Sequence, residues 1–161
     1  MVPFEGYRDS RGFFCSPFST SLVNRLNLKE FYVSVSKTIQ VGTIRGMHFQ
    51  DPPFCETKLV AVVQGSILDV VVDLDISKPL EERIKSYEMS QDDDYALFIP
   101  QGFAHGYQAL TDDVIVLYGL DSSYNRRATR GYSPLSPVLS NMWPKIPRNI
   151  KAEDLNWPDL V

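Results

Sequence analysis

Histidine is among the scarcest groups capable of chemistry in this chain, with two copies in 161 residues. Cysteine is equally rare, and Cys15 and Cys55 have no partners at metal-site spacing. That excludes a thiolate zinc centre and a disulfide framework, so the two read as free thiols in a reducing, cytoplasmic setting. An excess of positive charge is also lacking: 16 Lys and Arg face 20 Asp and Glu, a net charge of -4. Nucleic-acid binding needs a basic face to neutralise phosphates, so no nucleic-acid partner is expected, although a local basic pocket for a small anion is compatible. No apolar run approaches the ~20 residues of a membrane span. Residues 1–14 carry no charged region leading into an apolar core, so they do not read as a signal peptide. Internal repeats and low-complexity segments are absent, and no membrane partner is expected.

What is present is material for a core. The apolar fraction is 43%, and the length suits one domain spanning 1–161. Stretches rich in Val, Ile, Tyr and Phe read as strands at 31–36, 59–63, 67–73, 87–89, 96–99 and 114–118. Polar turns at 92–94 and 111–113 separate several of them, and Gln64-Gly65 suits a hairpin between two strands. The one early helical pattern is 19–28, where Leu22 and Leu26 share a face. Many short strands at roughly 8–12-residue spacing predict an all-β sandwich or barrel with little helix. In the strand 67–73, Asp69 and Asp73 fall on one face with Val71, which suits a wet interior and not a dry core. After Tyr118 the character changes. Pro134, Pro137, Pro144, Pro147 and Pro158 interrupt regular strands, so residues 119–161 are expected to wrap the barrel as loops, anchored by Trp143 and Trp157.

The two histidines sit in distinctive surroundings. His105 ends the pattern Pro-x-Gly-x-x-His at 100–105, which is typical of cupin jelly rolls, where a turn delivers a histidine into the barrel mouth. His48 lies in Gly-Thr-Ile-Arg-Gly-Met-His-Phe-Gln at 42–50. Three or four ligands are the usual minimum for a metal site. A site here would have to combine His48, His105 and a carboxylate such as Glu56, and the expectation is that no metal and no cofactor is used. Taken singly, each histidine also reads as a hydrogen-bonded barrel residue. Arg45 and Lys58 lie in strand-like surroundings, where a buried cation needs an anionic partner. That partner is either Asp69 or Asp73 in a salt bridge, or an anionic substrate such as a diphosphate. Tyr118 ends an apolar run and reads either as a core tyrosine or as a proton donor.

These segments, with Arg-Gly-Phe-Phe at 11–14, Lys-Leu-Val at 58–60, Gly-Ser-Ile-Leu-Asp-Val-Val-Val-Asp-Leu at 65–74 and Leu-Tyr at 117–118, follow one another in a telling order. The chain closely resembles the dTDP-4-dehydrorhamnose 3,5-epimerase family over nearly its whole length. The resemblance implies a metal-free, cupin-like jelly roll that forms a homodimer. It also implies inversion of the carbons flanking the keto group of a nucleotide-linked, dTDP-linked 4-keto-6-deoxy sugar, a step toward L-rhamnose. By resemblance His48 is the base, Asp154 orients it, Tyr118 is the acid and Lys58 stands beside the enolate oxygen. Arg45 matches a substrate-binding arginine, and His105 and Asp69 match a second buried pair in the substrate site. Arg11 and Tyr7 match positions that reach nucleotide bound by the neighbouring subunit, so residues 1–18 are expected to be exchanged between subunits. Departures from the family pattern fall at Ser16, Val33, Val35, Glu56 and Pro134. Two other readings stay open: a nucleotide-sugar ketoisomerase using the same enolate, and a sugar-binding cupin without turnover.

Overall fold

Strand-forming alternation governs most of the chain. In the computed structural model, which describes residues 1–28 and 30–161, twelve strands form. They are β1 (Val2–Pro3), β2 (Glu5–Asp9), β3 (Gly12–Ser16), β4 (Tyr32–Thr38), β5 (Ile44–Gln50), β6 (Lys58–Gln64), β7 (Ser66–Asp73), β8 (Ile84–Ser90), β9 (Tyr95–Ile99), β10 (Phe103–Ala109), β11 (Val114–Leu120) and β12 (Thr129–Gly131). Two antiparallel five-stranded sheets, β1-β9-β6-β11-β4 and β12-β5-β10-β7-β8, face each other, and β2 with β3 makes a separate hairpin.

From β4 to β11 the chain passes back and forth between the two sheets, staying in one only from β7 to β8. The expected hairpin at Gln64-Gly65 is therefore corrected: β6 pairs with β9 and β11, while β7 pairs with β8 and β10. Gly65, at φ 75°, turns the chain from one layer to the other. A glycine turn reports reversal of direction, and whether the two strands then pair is decided by which faces they must bury.

The interior between the sheets holds Val60, Val62, Ile67, Val71, Leu97, Tyr107 and Val116. The outer face of the first sheet, at Leu59, Ala61 and Ala96, is covered by Leu22 of helix α1 (Thr20–Arg25) and by Phe4 and Phe18. Ser19 caps α1 by accepting from the Leu22 N–H at 3.1 Å. The outer face of the second sheet, at Ile44, Val70 and Val72, packs against Leu139, Trp143 and Leu160 from beyond β11. Trp143 is buried there, and its indole N–H donates to the Pro134 carbonyl at 2.8 Å. Two further short helices, α2 (Leu80–Arg83) and α3 (Ala152–Leu155), add to the one expected from sequence. Four-residue helices are too short to show a 3.6-residue pattern. Among the described residues no helix is long and apolar enough to cross a membrane.

One irregularity positions the site. His48 pairs with His105 across β5 and β10, and Arg45 pairs with Tyr107, so β5 carries one extra residue between these pairs. Gly46 (φ 122°) and Gly106 touch there: a Cβ on Gly46 would lie 2.5 Å from the Gly106 Cα. In a regular strand, side chains three apart point to opposite faces. The extra residue rephases β5, and both Arg45 and His48 reach the same cavity.

Candidate active site

The cavity, of about 270 Å³, opens at one end of the barrel. His48 from β5, His105 from β10, Lys58 from β6 and Tyr118 from β11 line it, and α3 closes one side with Asp154. Both sheets thus contribute side chains. Five arrangements define its chemistry.

His48 Nε2 lies 2.7 Å from Asp154 Oδ1. In the neutral imidazole, with the carboxylate as acceptor, Nε2 carries the proton and Nδ1 the lone pair. Asp154 is 4% exposed and His48 39% exposed, so the pair combines a fixed carboxylate with an accessible imidazole. A second pair stands opposite on the neighbouring strand: His105 Nε2 is 2.7 Å from Asp69 Oδ2. Asp69 has no exposed surface, and its Oδ1 has no hydrogen-bond partner. Burial pushes its carboxyl above the ordinary range, against the opposing pull of His105 and Lys58. Asp69 stands behind His105 and is not in the cavity wall, so it reaches a bound molecule only through the imidazole.

Lys58 Nζ lies 2.9 Å from Glu56 Oε1, with the two side chains 9% and 11% exposed. Neither Asp69 nor Asp73 is its partner, since Asp73 instead takes Lys78 at 2.5 Å. Glu56 in turn accepts from Gln50 Nε2 at 3.2 Å. Arg45 is held without any carboxylate. Its Nε donates to Thr38 Oγ1 and its Nη2 to the Lys37 carbonyl, both at 2.9 Å. The guanidinium is left with donors to spare at the cavity rim.

Tyr118 is half-buried, with its ring 6.0 Å from that of His105 in an edge-on arrangement. Burial, with Tyr107 and Asp69 nearby, pushes its hydroxyl well above the ordinary value of 10.0. The phenol therefore holds its proton across the neutral range.

Arg11 and Tyr7 lie elsewhere, on the β2–β3 hairpin outside the cavity. The Arg11 side chain is 79% exposed and pairs with Asp9 at 2.6 Å. Tyr7 packs on Phe14 at the surface. Sequence reasoning missed Gln50 and Trp157 as wall residues, and it named Glu56 only as the carboxylate of a possible metal site. Gln50 lies two positions after His48 on the same strand face, a signal that was available. Glu56 lies before its strand begins, where no periodicity applies. Among the described residues no three His, Cys, Asp or Glu side chains come together to hold a metal ion. His48, His105 and Glu56 each engage a different partner.

Comparison with known proteins places the chain in a family. The family model described as dTDP-4-dehydrorhamnose 3,5-epimerase matches residues 1–161. The dTDP-4-dehydrorhamnose 3,5-epimerase of Sinorhizobium fredii is 33% identical over 96% of this chain and 80% of its own length. The Bacillus anthracis enzyme of that name, solved with TDP and pyrophosphate bound, superposes with a TM-score of 0.87 at 34% identity, covering 98% of this chain and 91% of that one. The Legionella pneumophila dTDP-6-deoxy-D-glucose-3,5-epimerase, in complex with dTDP-4-keto-L-rhamnose, gives 0.84 at 27% identity, with 98% and 85% covered. The two facing sheets are thus those of a cupin-like barrel, and the chain belongs to the dTDP-4-dehydrorhamnose 3,5-epimerase family of isomerases.

Proposed function

We propose that this chain inverts C3, C5 or both in a dTDP-linked 4-keto-6-deoxy sugar, with His48 as base and Tyr118 as acid. The observation that carries the reading is their placement. His48 comes from one sheet and Tyr118 from the other, and both line one cavity. A carbon held between them can lose a proton on one face and gain one on the other.

The steps balance as follows. His48 Nδ1 takes the proton from the carbon beside the C4 ketone, and the C–H electron pair becomes the enolate π bond with charge on O4. Asp154 holds the imidazole in the required tautomer and stabilises the imidazolium. Lys58 places a positive charge beside the developing enolate oxygen. Tyr118 then delivers its hydroxyl proton to the opposite face, and O4 returns to a ketone. Solvent removes the proton from His48 and restores that of Tyr118. Arg45 and His105 bind the substrate, with Arg45 on the diphosphate. The dTDP carrier is supported by the nucleotides in the two solved relatives.

The exposed apolar hairpin supports a homodimer in which Arg11 and Tyr7 complete the neighbouring subunit's nucleotide site. The free thiols of Cys15 and Cys55 fit the reducing cytoplasm. Incubation with dTDP-4-keto-6-deoxyglucose in deuterium oxide tests the reaction. NMR should show deuterium at C3, C5 or both, with inverted configuration. A carbonyl moved from C4 to C3 would identify a ketoisomerase instead, and no label at either carbon would exclude the enolate chemistry.

A further inference from the structure

Lys58 is the cation assigned to the enolate, yet it is already engaged by Glu56 at 2.9 Å. We propose that Glu56 is a positioning residue that fixes the Lys58 ammonium against the reacting sugar. This rests on the reading of Lys58 given above and adds a residue to it. An ammonium has three N–H donors. The ion pair with Glu56 at 2.9 Å leaves N–H donors free for a substrate oxygen. The four-carbon stem of lysine is flexible and does not aim its own charge. Here the stem has a real choice. Lys58 borders the reactive cavity and also a second one, of about 220 Å³, lined by Phe49, Leu74 and Phe103, and Glu56 stands where the two meet. The bond to Glu56 decides where the ammonium rests.

Glu56 is itself held. Gln50 donates to Glu56 Oε2 at 3.2 Å and to the Phe54 carbonyl at 3.0 Å, and its Oε1 accepts from the Asn125 N–H at 2.6 Å. The carboxylate therefore has one orientation, set from two loops. The pair is also about nine-tenths buried, so the carboxylate offsets the desolvation of the ammonium. The competing view is that Glu56 and Lys58 merely staple the loop before β6 to the barrel. A staple would change stability, and its loss would slow the reaction whether or not Lys58 were present.

A double-mutant cycle separates the two views. Deuterium exchange at the sugar carbons, kcat, KM and thermal unfolding are measured for Glu56→Ala, Glu56→Gln, Lys58→Ala and the double variant Glu56→Ala/Lys58→Ala. Glu56→Ala should slow exchange and inversion together by about 10- to 100-fold, since misplacing a catalytic group by ~1 Å costs that order. KM should change far less. Glu56→Gln keeps the length but offers one acceptor oxygen where Lys58 Nζ and Gln50 Nε2 both need one, so it should recover part of the rate lost in Glu56→Ala. In the Lys58→Ala background, Glu56→Ala should add nothing beyond about twofold. A full, multiplicative loss in that background would overturn the proposal and leave the Lys58 role standing. Wild-type exchange in Glu56→Ala would do the same. Wild-type exchange in Lys58→Ala would remove the role of Lys58 and that of Glu56 with it. Should Glu56→Ala not fold, Glu56→Asp, which keeps the charge and shortens its reach, is compared with Glu56→Gln. Positioning requires the aspartate to be the slower of the two, and equal rates would overturn it.

Discussion

At the scale of single residues, the four groups around the cavity are not interchangeable, because each is held differently. His48 is the accessible imidazole, tied by Nε2 to a buried carboxylate. Its replacement by alanine is expected to lower solvent exchange at the substrate carbons by ~10²–10⁴-fold, the usual contribution of a positioned base. NMR of the sugar in deuterium oxide reads this directly, and near-normal exchange would move the base to His105. Tyr118 differs because burial holds its proton on. A phenol raised in the folded protein keeps its proton below the ordinary value of 10.0 and loses it only above that, so it stays an acid over the working range. Tyr118→Phe should therefore slow inversion more than exchange, since His48 still removes and returns protons on its own face. It should also leave the alkaline limb of the exchange profile unmoved below pH 10.0. Equal losses of exchange and inversion would make Tyr118 a group that positions the sugar. The histidines, Lys58 and Tyr118 were legible in the sequence because they are rare or stand against an apolar strand. Their partners were legible less evenly. Asp154 came from resemblance alone, and the partner of Lys58 is Glu56, a loop carboxylate with no periodicity to mark it.

Elements set the distances between those residues, and the critical contact is the one between β5 and β10. The backbones meet at Gly46 and Gly106, and a Cβ on Gly106 would lie 2.7 Å from the Met47 sulfur and 2.8 Å from the Arg45 carbonyl oxygen. Gly106→Ala must push the strands apart in the segment that carries both His48 and His105. Overpacking of this kind costs about 1–3 kcal/mol, which for a chain of this size lowers the unfolding midpoint by several degrees. The expected result is a lower midpoint by calorimetry with a loss of exchange larger than stability alone explains at 25 °C. A variant that folds normally and turns over at the wild-type rate would show that β5 tolerates the shift. Strands such as β6, β7 and β11 could be read from their Val and Ile content. β5 showed only as strand-like surroundings of Arg45 and β10 not by its content, because glycine interrupts both where they touch, and glycine in a run argues locally against a strand. Sheet membership was hidden for a related reason. From β4 to β11 every strand but β7 passes to the opposite layer, and a turn sequence carries no record of which face it leaves.

The whole molecule leaves one surface unexplained by a single barrel. The β2–β3 hairpin exposes Tyr7, Phe13 and Phe14, and on the edge strand β4 Val33 and Val35 are also exposed. An apolar hairpin exposed in this way marks an interface, and in a two-fold dimer the same patch serves both copies. Arg11, at the hairpin turn, has Asp9 as its one ion partner among the described residues and lies away from its own cavity. A guanidinium so placed is useful to a diphosphate only if the hairpin reaches another subunit's cavity. Two inactive variants test this without a structure of the dimer. Arg11→Ala and His48→Ala are each expected to be inactive, one lacking a contact given to the partner, the other lacking its own base. Unfolded and refolded together in equal amounts, half of the dimers should be mixed. Each mixed dimer then has one site with both residues intact and one with both lost, so roughly a quarter of all sites recover activity. If Arg11 serves its own subunit, every site in the mixture lacks one residue and nothing is recovered. Sedimentation of the wild-type chain completes the test, because a fully active monomer would leave Arg11 no neighbour to serve.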